Sequence, residues 1–280
     1  MRLPPTLRPP ELPAASQAVL RAARRLLRRK DRHIARRFLV EGRQAVSEAL
    51  DRPGTVIEVI VAEDRVGSHQ ELLNVASDAG ARIAVAPARA VSELSATVTP
   101  QGLVAVCHMI DVSAVDALAG MPRLVVFGDQ IRDPGNLGTV IRCADAFGAD
   151  AVLVSRDSVD VYNAKTIRST TGSLFHLPLA LDLDLAEAVA LARDSGLHVL
   201  GADAAAPYKI NDLAGLGTLA QPTMWVMGNE TRGLPPEHAT LLDQLVAVPL
   251  YGRAESLNLS TAAAVLLYAS AAAQNADKSA

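Results

Sequence analysis

Cysteine is nearly absent. Only Cys107 and Cys143 carry thiols, they lie far apart, and no histidine stands at ligand spacing from either. A disulfide framework and a zinc site are thereby excluded, and the expected setting is reduced and cytoplasmic, with no metal. Aromatic residues make up 3% of the chain, too few for a platform on which bases stack. No uninterrupted apolar stretch reaches the roughly 18 residues that a membrane helix needs. Residues 1–30 contain no apolar core followed by a small-residue cleavage site, so they do not read as a signal peptide. Missing too are a phosphate-binding loop and a nucleophile elbow. One dinucleotide-like match, at Gly215, Gly217 and Ala220, leads into an expected strand at residue 223. The true fingerprint follows a strand and opens a helix, so the match is set aside.

What the chain has is charge, unevenly spread. Its net charge is −3, yet residues 1–43 hold 12 of the 27 basic residues and 3 of the 30 acidic ones, a local net of +9 against −12 for the remainder. Arg28, Arg29, Lys30, Arg36 and Arg37 form the densest part of this run, the electrostatic footprint expected of a surface that meets RNA phosphates. Five prolines lie within residues 1–18, which suggests an extended tail. Residues 1–30 are therefore expected to form a basic, Pro-rich, mobile arm.

Two α/β series follow. In residues 31–110, strands at 38–40, 56–62, 82–86 and 102–109 alternate with helices at 44–50, 69–79 and 91–96, as in a compact α/β domain. Residues 111–122 are small and polar and read as a linker. In residues 123–275, nearly continuous apolar strands at 124–127, 151–154, 197–202, 223–227 and 245–248 alternate with helices. The pattern predicts a parallel sheet covered on both faces.

Three stretches of the second series carry polar residues at strand ends. The first is Asp133-Pro-Gly-Asn136, where Asn136 is expected at a helix N-cap. Leu137, Val140, Ile141 and Ala144 form the apolar stripe behind it and leave Arg142 off that stripe. The second is Met227-Gly-Asn-Glu230, where Gly228 lets a ligand approach the backbone closely. Glu230 could alternatively cap the helix expected near residue 235. The third is Val248-Pro-Leu-Tyr-Gly-Arg-Ala-Glu-Ser-Leu-Asn258, an apolar strand end followed by a polar turn. Ser256 and Asn258 there read either as ligand contacts or as caps of the last helix.

In order and spacing the three stretches resemble the motifs of the SpoU (TrmH-like) family of RNA ribose 2'-O-methyltransferases, within the SPOUT superfamily. The resemblance implies an α/β fold with a C-terminal trefoil knot, S-adenosyl-L-methionine as cofactor, ribosomal RNA as substrate before transfer RNA, and a homodimer. It places Arg142, Asn136, Glu230, Ser256 and Asn258 in the catalytic site. Met227, Gly228, Asn229, Val248, Leu250, Ser256, Leu257 and Asn258 fall in the cofactor pocket. The segment 162–178 follows the same family pattern, and Lys165 and Arg168 read either as RNA-backbone contacts or as a solvated helix end; His176, in an apolar setting, reads as structural. Through Arg36-Arg-Phe-Leu-Val-Glu-Gly42 and Thr99-Pro-Gln-Gly102, residues 31–110 resemble the ribosomal-protein-like substrate-binding domain that precedes many such catalytic domains. A non-catalytic RNA-binding protein of the same fold is the rival reading, and the intact motifs count against it.

Overall fold

The computed structural model describes residues 12–276. The described residues divide into two compact units, one of 12–110 with 162–175, the other of 111–161 with 176–276.

The first unit contains α1 (Gln17–Arg25), α2 (Arg29–Ala35), β1 (Arg37–Glu41), α3 (Arg43–Asp51), β2 (Val56–Ala62), α4 (Gln70–Asp78), β3 (Arg82–Ala86), α5 (Ala88–Ser92) and β4 (Leu103–His108). Its sheet has the order β1-β4-β2-β3, antiparallel except for the β2–β3 pair. The mobile arm expected over residues 1–30 is corrected from residue 12 onward; residues 1–11 lie outside the described part. Ala15 N–H donates to Val85 O and Val85 N–H to Pro13 O, so the chain lies along the open edge of β3. Ser16 caps α1 through Val19 N–H. Leu20, Ala23 and Leu26 then fall on one helical face and are buried with Leu39, Ile60 and Val104. On this anchored helix Arg21 and Arg25 are exposed, while Arg24 pairs with Glu93 at 2.6 Å.

The second unit contains α6 (Ala114–Ala117), β5 (Leu124–Gly128), α7 (Pro134–Ala146), β6 (Ala151–Ser155), β7 (Leu179–Leu183), α9 (Leu185–Asp194), β8 (His198–Ala202), β9 (Tyr208–Lys209), α10 (Ile210–Gly215), β10 (Thr223–Met227), α11 (Pro236–Ala239), β11 (Gln244–Ala247) and α12 (Leu259–Gln274); α8 (Ala164–Thr170) groups with the first unit. All seven strands pair in parallel, in the order β7-β6-β5-β10-β8-β11-β9. Both faces are covered, as β10 shows. Met224 and Val226 pack with Ala188, Val189 and Ala192 of α9, while Trp225 between them donates its indole N–H to Ser270 Oγ of α12 at 2.9 Å.

Residues 111–122 are not a bare linker. Ala114, Ala117 and Leu118 are buried in the core of the second unit, because a single helical turn capped by Ser113 presents them on one side. No described helix is long and apolar enough to cross a membrane.

Candidate active site and cofactor pocket

The site lies at the carboxyl ends of the central parallel strands, where open α/β sheets bind ligands. After β5 the chain turns into α7, whose N-cap is Asp133 rather than Asn136: Asp133 Oδ1 accepts from Asn136 N–H at 2.8 Å. The Asp-Pro pair starts the helix three residues before its apolar stripe, with Pro134 in the first turn where its missing N–H costs nothing. Asn136 is thereby left with a side chain available for tertiary contacts.

Those contacts join the three motifs. Glu230 Oε1 accepts from Asp133 N–H at 3.1 Å and from Asn136 Nδ2 at 3.2 Å, and Oε2 accepts from Arg132 N–H at 3.2 Å. Asn258 Nδ2 donates to Asn136 Oδ1 at 3.0 Å. Glu230 therefore braces the first motif and does not cap α11, whose first turn follows Pro235. Asn258, not Ser256, is the N-cap of α12, its Oδ1 accepting from Ser260 N–H and Thr261 N–H.

Gly228 and Asn229 shape the turn after β10. Asn229 and Gly233 exchange backbone hydrogen bonds of 3.0 and 2.9 Å, Asn229 Nδ2 donates to Gln130 O, and its Oδ1 accepts from Thr231 and Arg232 N–H. A Cβ on Gly228 would stand 2.7 Å from the Gly233 carbonyl carbon, so only glycine permits this closure.

Beside this turn lies a cavity of about 340 Å³, within the range of small-molecule sites. Of the expected pocket residues, Gly228, Asn229, Val248, Leu250, Ser256 and Leu257 line it, as does Glu230. Met227, fully buried, and Asn258 do not line it; the Met227 carbonyl accepts from Asp129 N–H at 2.8 Å. The sequence reading missed Asp203, Arg232 and the apolar wall of Val246, Leu259 and Leu266. Apolar walls with convergent carboxylate, amide and hydroxyl groups suit an adenosine that carries an amino-acid tail.

Arg142 is not in the cavity wall. It lies on the exposed face of α7, about 9 Å along the helix from Asn136 by the 1.5 Å rise per residue.

Near the same strand ends, Asp129 is 1% exposed and accepts from His238 Nδ1–H at 2.6 Å. Burial pushes its carboxyl above the usual carboxylate range, and the His238 hydrogen bond and charge oppose that rise. His176 pairs with Asp145 at 2.8 Å, a surface contact away from the motif residues.

In the first unit, Arg28, Arg29, Lys30, Arg36, Arg37 and Lys165 are exposed. Arg168 is half-buried and pairs with Glu41 at 3.0 Å, so part of its charge is already balanced within the unit.

Sequence comparison identifies the class. Residues 123–268 match the SpoU rRNA Methylase family and residues 39–112 match the RNA 2'-O ribose methyltransferase substrate binding family. The chain belongs to the SpoU rRNA methylase family. It is 35% identical over 261 residues to the 23S rRNA (guanosine(2553)-2'-O)-methyltransferase RlmP of Bacillus subtilis, covering 92% of this chain and 98% of that protein. It is 34% identical over 251 residues to the 23S rRNA (uridine(2479)-2'-O)-methyltransferase of Streptomyces viridochromogenes, covering 86% and 84%. The solved structure of the SpoU methyltransferase AviRb from that organism, in complex with AdoMet, aligns with a TM-score of 0.79 at 31% identity and covers 91% of this chain and 97% of that one.

Proposed function

We propose that this protein methylates a ribose 2'-hydroxyl in ribosomal RNA of the 23S type, with S-adenosyl-L-methionine as donor. The observation that carries the reading is the junction of Asn136, Glu230 and Asn258 at the rim of a nucleoside-sized cavity. When bound, the cofactor supplies an electrophilic sulfonium methyl; no metal is needed for such a displacement. The remaining tasks fall to the chain: fix the geometry, keep the acceptor in line, and stabilise the oxygen as its proton leaves.

Glu230 ties the start of α7 to the turn after β10, and Asn258 ties the start of α12 to the same point. The cofactor pocket and the helix carrying Arg142 are thereby held in one frame. A guanidinium is a pure donor, so the role assigned to Arg142 is to hold the target phosphate and stabilise the developing alkoxide. The knot implied by the family resemblance belongs to this reading, supported by a cavity built from both the 228–233 turn and the segment 246–266.

Arg28, Arg29, Lys30, Arg36, Arg37 and Lys165 are proposed to contact RNA phosphates; their exposure on anchored elements supports this. A homodimer is proposed as well, supported by the apolar surface of α12, where Tyr268 is 61% exposed and packs edge-on to Phe147 at 5.7 Å. Light scattering of the protein and of Tyr268→Glu tests it: a dimer that the substitution splits is expected, and a monomeric wild type would refute it.

The functional test is methyl transfer from labelled S-adenosylmethionine to separated ribosomal and transfer RNA lacking the modification. Label on ribosomal RNA alone is expected. Label on transfer RNA alone would replace the substrate, and no label on either RNA or on ribosomal subunits would favour the non-catalytic reading.

A further inference from the structure

Of the two carboxylates that line the cavity, one is left partly uncommitted by its own frame. Both oxygens of Glu230 and both amide atoms of Asn229 are spent on backbone and side-chain partners of the surrounding turns. Asp203 differs. It follows the last residue of β8, its N–H donates to Val246 O at 3.1 Å, and its Oδ1 accepts from Ala205 N–H at 2.7 Å. Backbone and carboxylate plane are thus fixed from both sides. Its Oδ2 has no hydrogen bond among the described residues and lies 4.0 Å from the point where a Cβ on Gly233 would stand. Gly233 leaves that space open.

We propose that Asp203 binds the ribose diol of the cofactor and so selects a ribonucleoside. This rests on the proposed use of S-adenosylmethionine. A vicinal diol presents two O–H donors at the spacing of one carboxylate, and a carboxylate beyond the end of a parallel strand is the geometry by which α/β folds hold ribose hydroxyls. The apolar wall of Val246, Leu259 and Leu266 takes the base on the adjoining side. Glu230, braced on the first motif, then faces the reacting end. Asp203 is a binding residue in this assignment and takes no part in proton transfer.

The experiment is calorimetric binding of S-adenosylhomocysteine, its 2'-deoxyribose analogue and 5'-deoxy-5'-methylthioadenosine to wild type and Asp203→Asn. The amide keeps an oxygen for Ala205 N–H, so the turn and the unfolding temperature should be preserved. Loss of one charge-assisted hydrogen bond is expected to weaken S-adenosylhomocysteine about tenfold. Methylthioadenosine should lose the same factor. The deoxy analogue should bind wild type about tenfold more weakly and the variant with little further loss. Equal affinity of the two proteins for S-adenosylhomocysteine would overturn the assignment. So would a loss confined to S-adenosylhomocysteine, which would place the amino group at Asp203 instead. Failure of the wild type to bind S-adenosylhomocysteine would remove the cofactor reading itself, and this inference with it.

Discussion

Asn136 and Asn258 stand 122 residues apart in the chain and share a 3.0 Å hydrogen bond between their side chains. Each is also held by its own helix start: Asn136 N–H by Asp133, and Asn258 Oδ1 by the first amides of α12. The bond therefore couples two helix N-termini, and Glu230 adds the turn after β10 to the same point. The two asparagines should behave as a unit. Asn136→Ala and Asn258→Ala are each expected to lower methyl transfer at least tenfold, and the double variant to lose less than the product of the two. A coupling of about 1 kcal/mol in a double-mutant cycle is the expected size; strictly multiplicative losses would show that the bond transmits nothing.

Glu230 accepts three hydrogen bonds with two oxygens. In Glu230→Gln an amide NH₂ must replace one oxygen and face a donor. The variant should lose about 1–3 kcal/mol of stability, read by urea unfolding, together with cofactor affinity. Wild-type stability in this variant would mean that the brace is not what holds the first motif.

Gly228 has backbone where any side chain would begin. Gly228→Ala places a Cβ 2.7 Å from the Gly233 carbonyl carbon, so the turn must open. Cofactor affinity should fall at least tenfold in calorimetry while the sheet survives, since the displaced turn lies beyond β10. Unaltered affinity would contradict the cavity assignment.

Asp243 governs part of the acid limb of stability. Partial burial raises its carboxyl, but the Val199 N–H and the Arg193 side chain, at 2.8 and 2.6 Å, outweigh that and hold it below its ordinary value of 3.8. A depressed carboxyl contributes stability above its unfolded value and loses it as pH falls through the folded one. Wild type should therefore exceed Asp243→Asn at pH 6 by up to about 1 kcal/mol, given the exposure of the pair, and the gap should close toward pH 2. A gap that stays constant with pH would contradict the ion-pair account.

Much of this architecture was legible in the sequence, for identifiable reasons. The apolar runs at residues 124–127, 151–154 and 223–227 are buried on both faces and flanked by Gly or polar turns, so their strands stand out. The edge strand Leu179–Leu183 did not, because Asp182 interrupts its apolar run and takes a positive φ of 59°. Helix α1 was obscured by composition: Leu20, Ala23 and Leu26 are spaced for one face, but arginines fill the positions between them. Within the site, the residue types at 136, 230 and 258 were readable from motif spacing. Their hydrogen bonds were not, because each joins segments more than 90 residues apart. Asp203 carries no motif signal beyond its place after a strand.

The central claim, ribose methylation of ribosomal RNA assisted by Arg142, is tested most directly by one comparison. Ribosomal RNA lacking the modification is incubated with S-adenosylmethionine and either wild type or Arg142→Ala, digested to nucleosides, and assayed by mass spectrometry for 2'-O-methyl products. Arg142 is exposed on α7, and the variant's unfolding temperature and cofactor binding are measured alongside to show that it is folded. The account predicts a single 2'-O-methylated nucleoside with wild type and at least a hundredfold less with a folded, cofactor-binding variant. Equal product from both proteins, or a methyl group on a base and not on ribose, would contradict it.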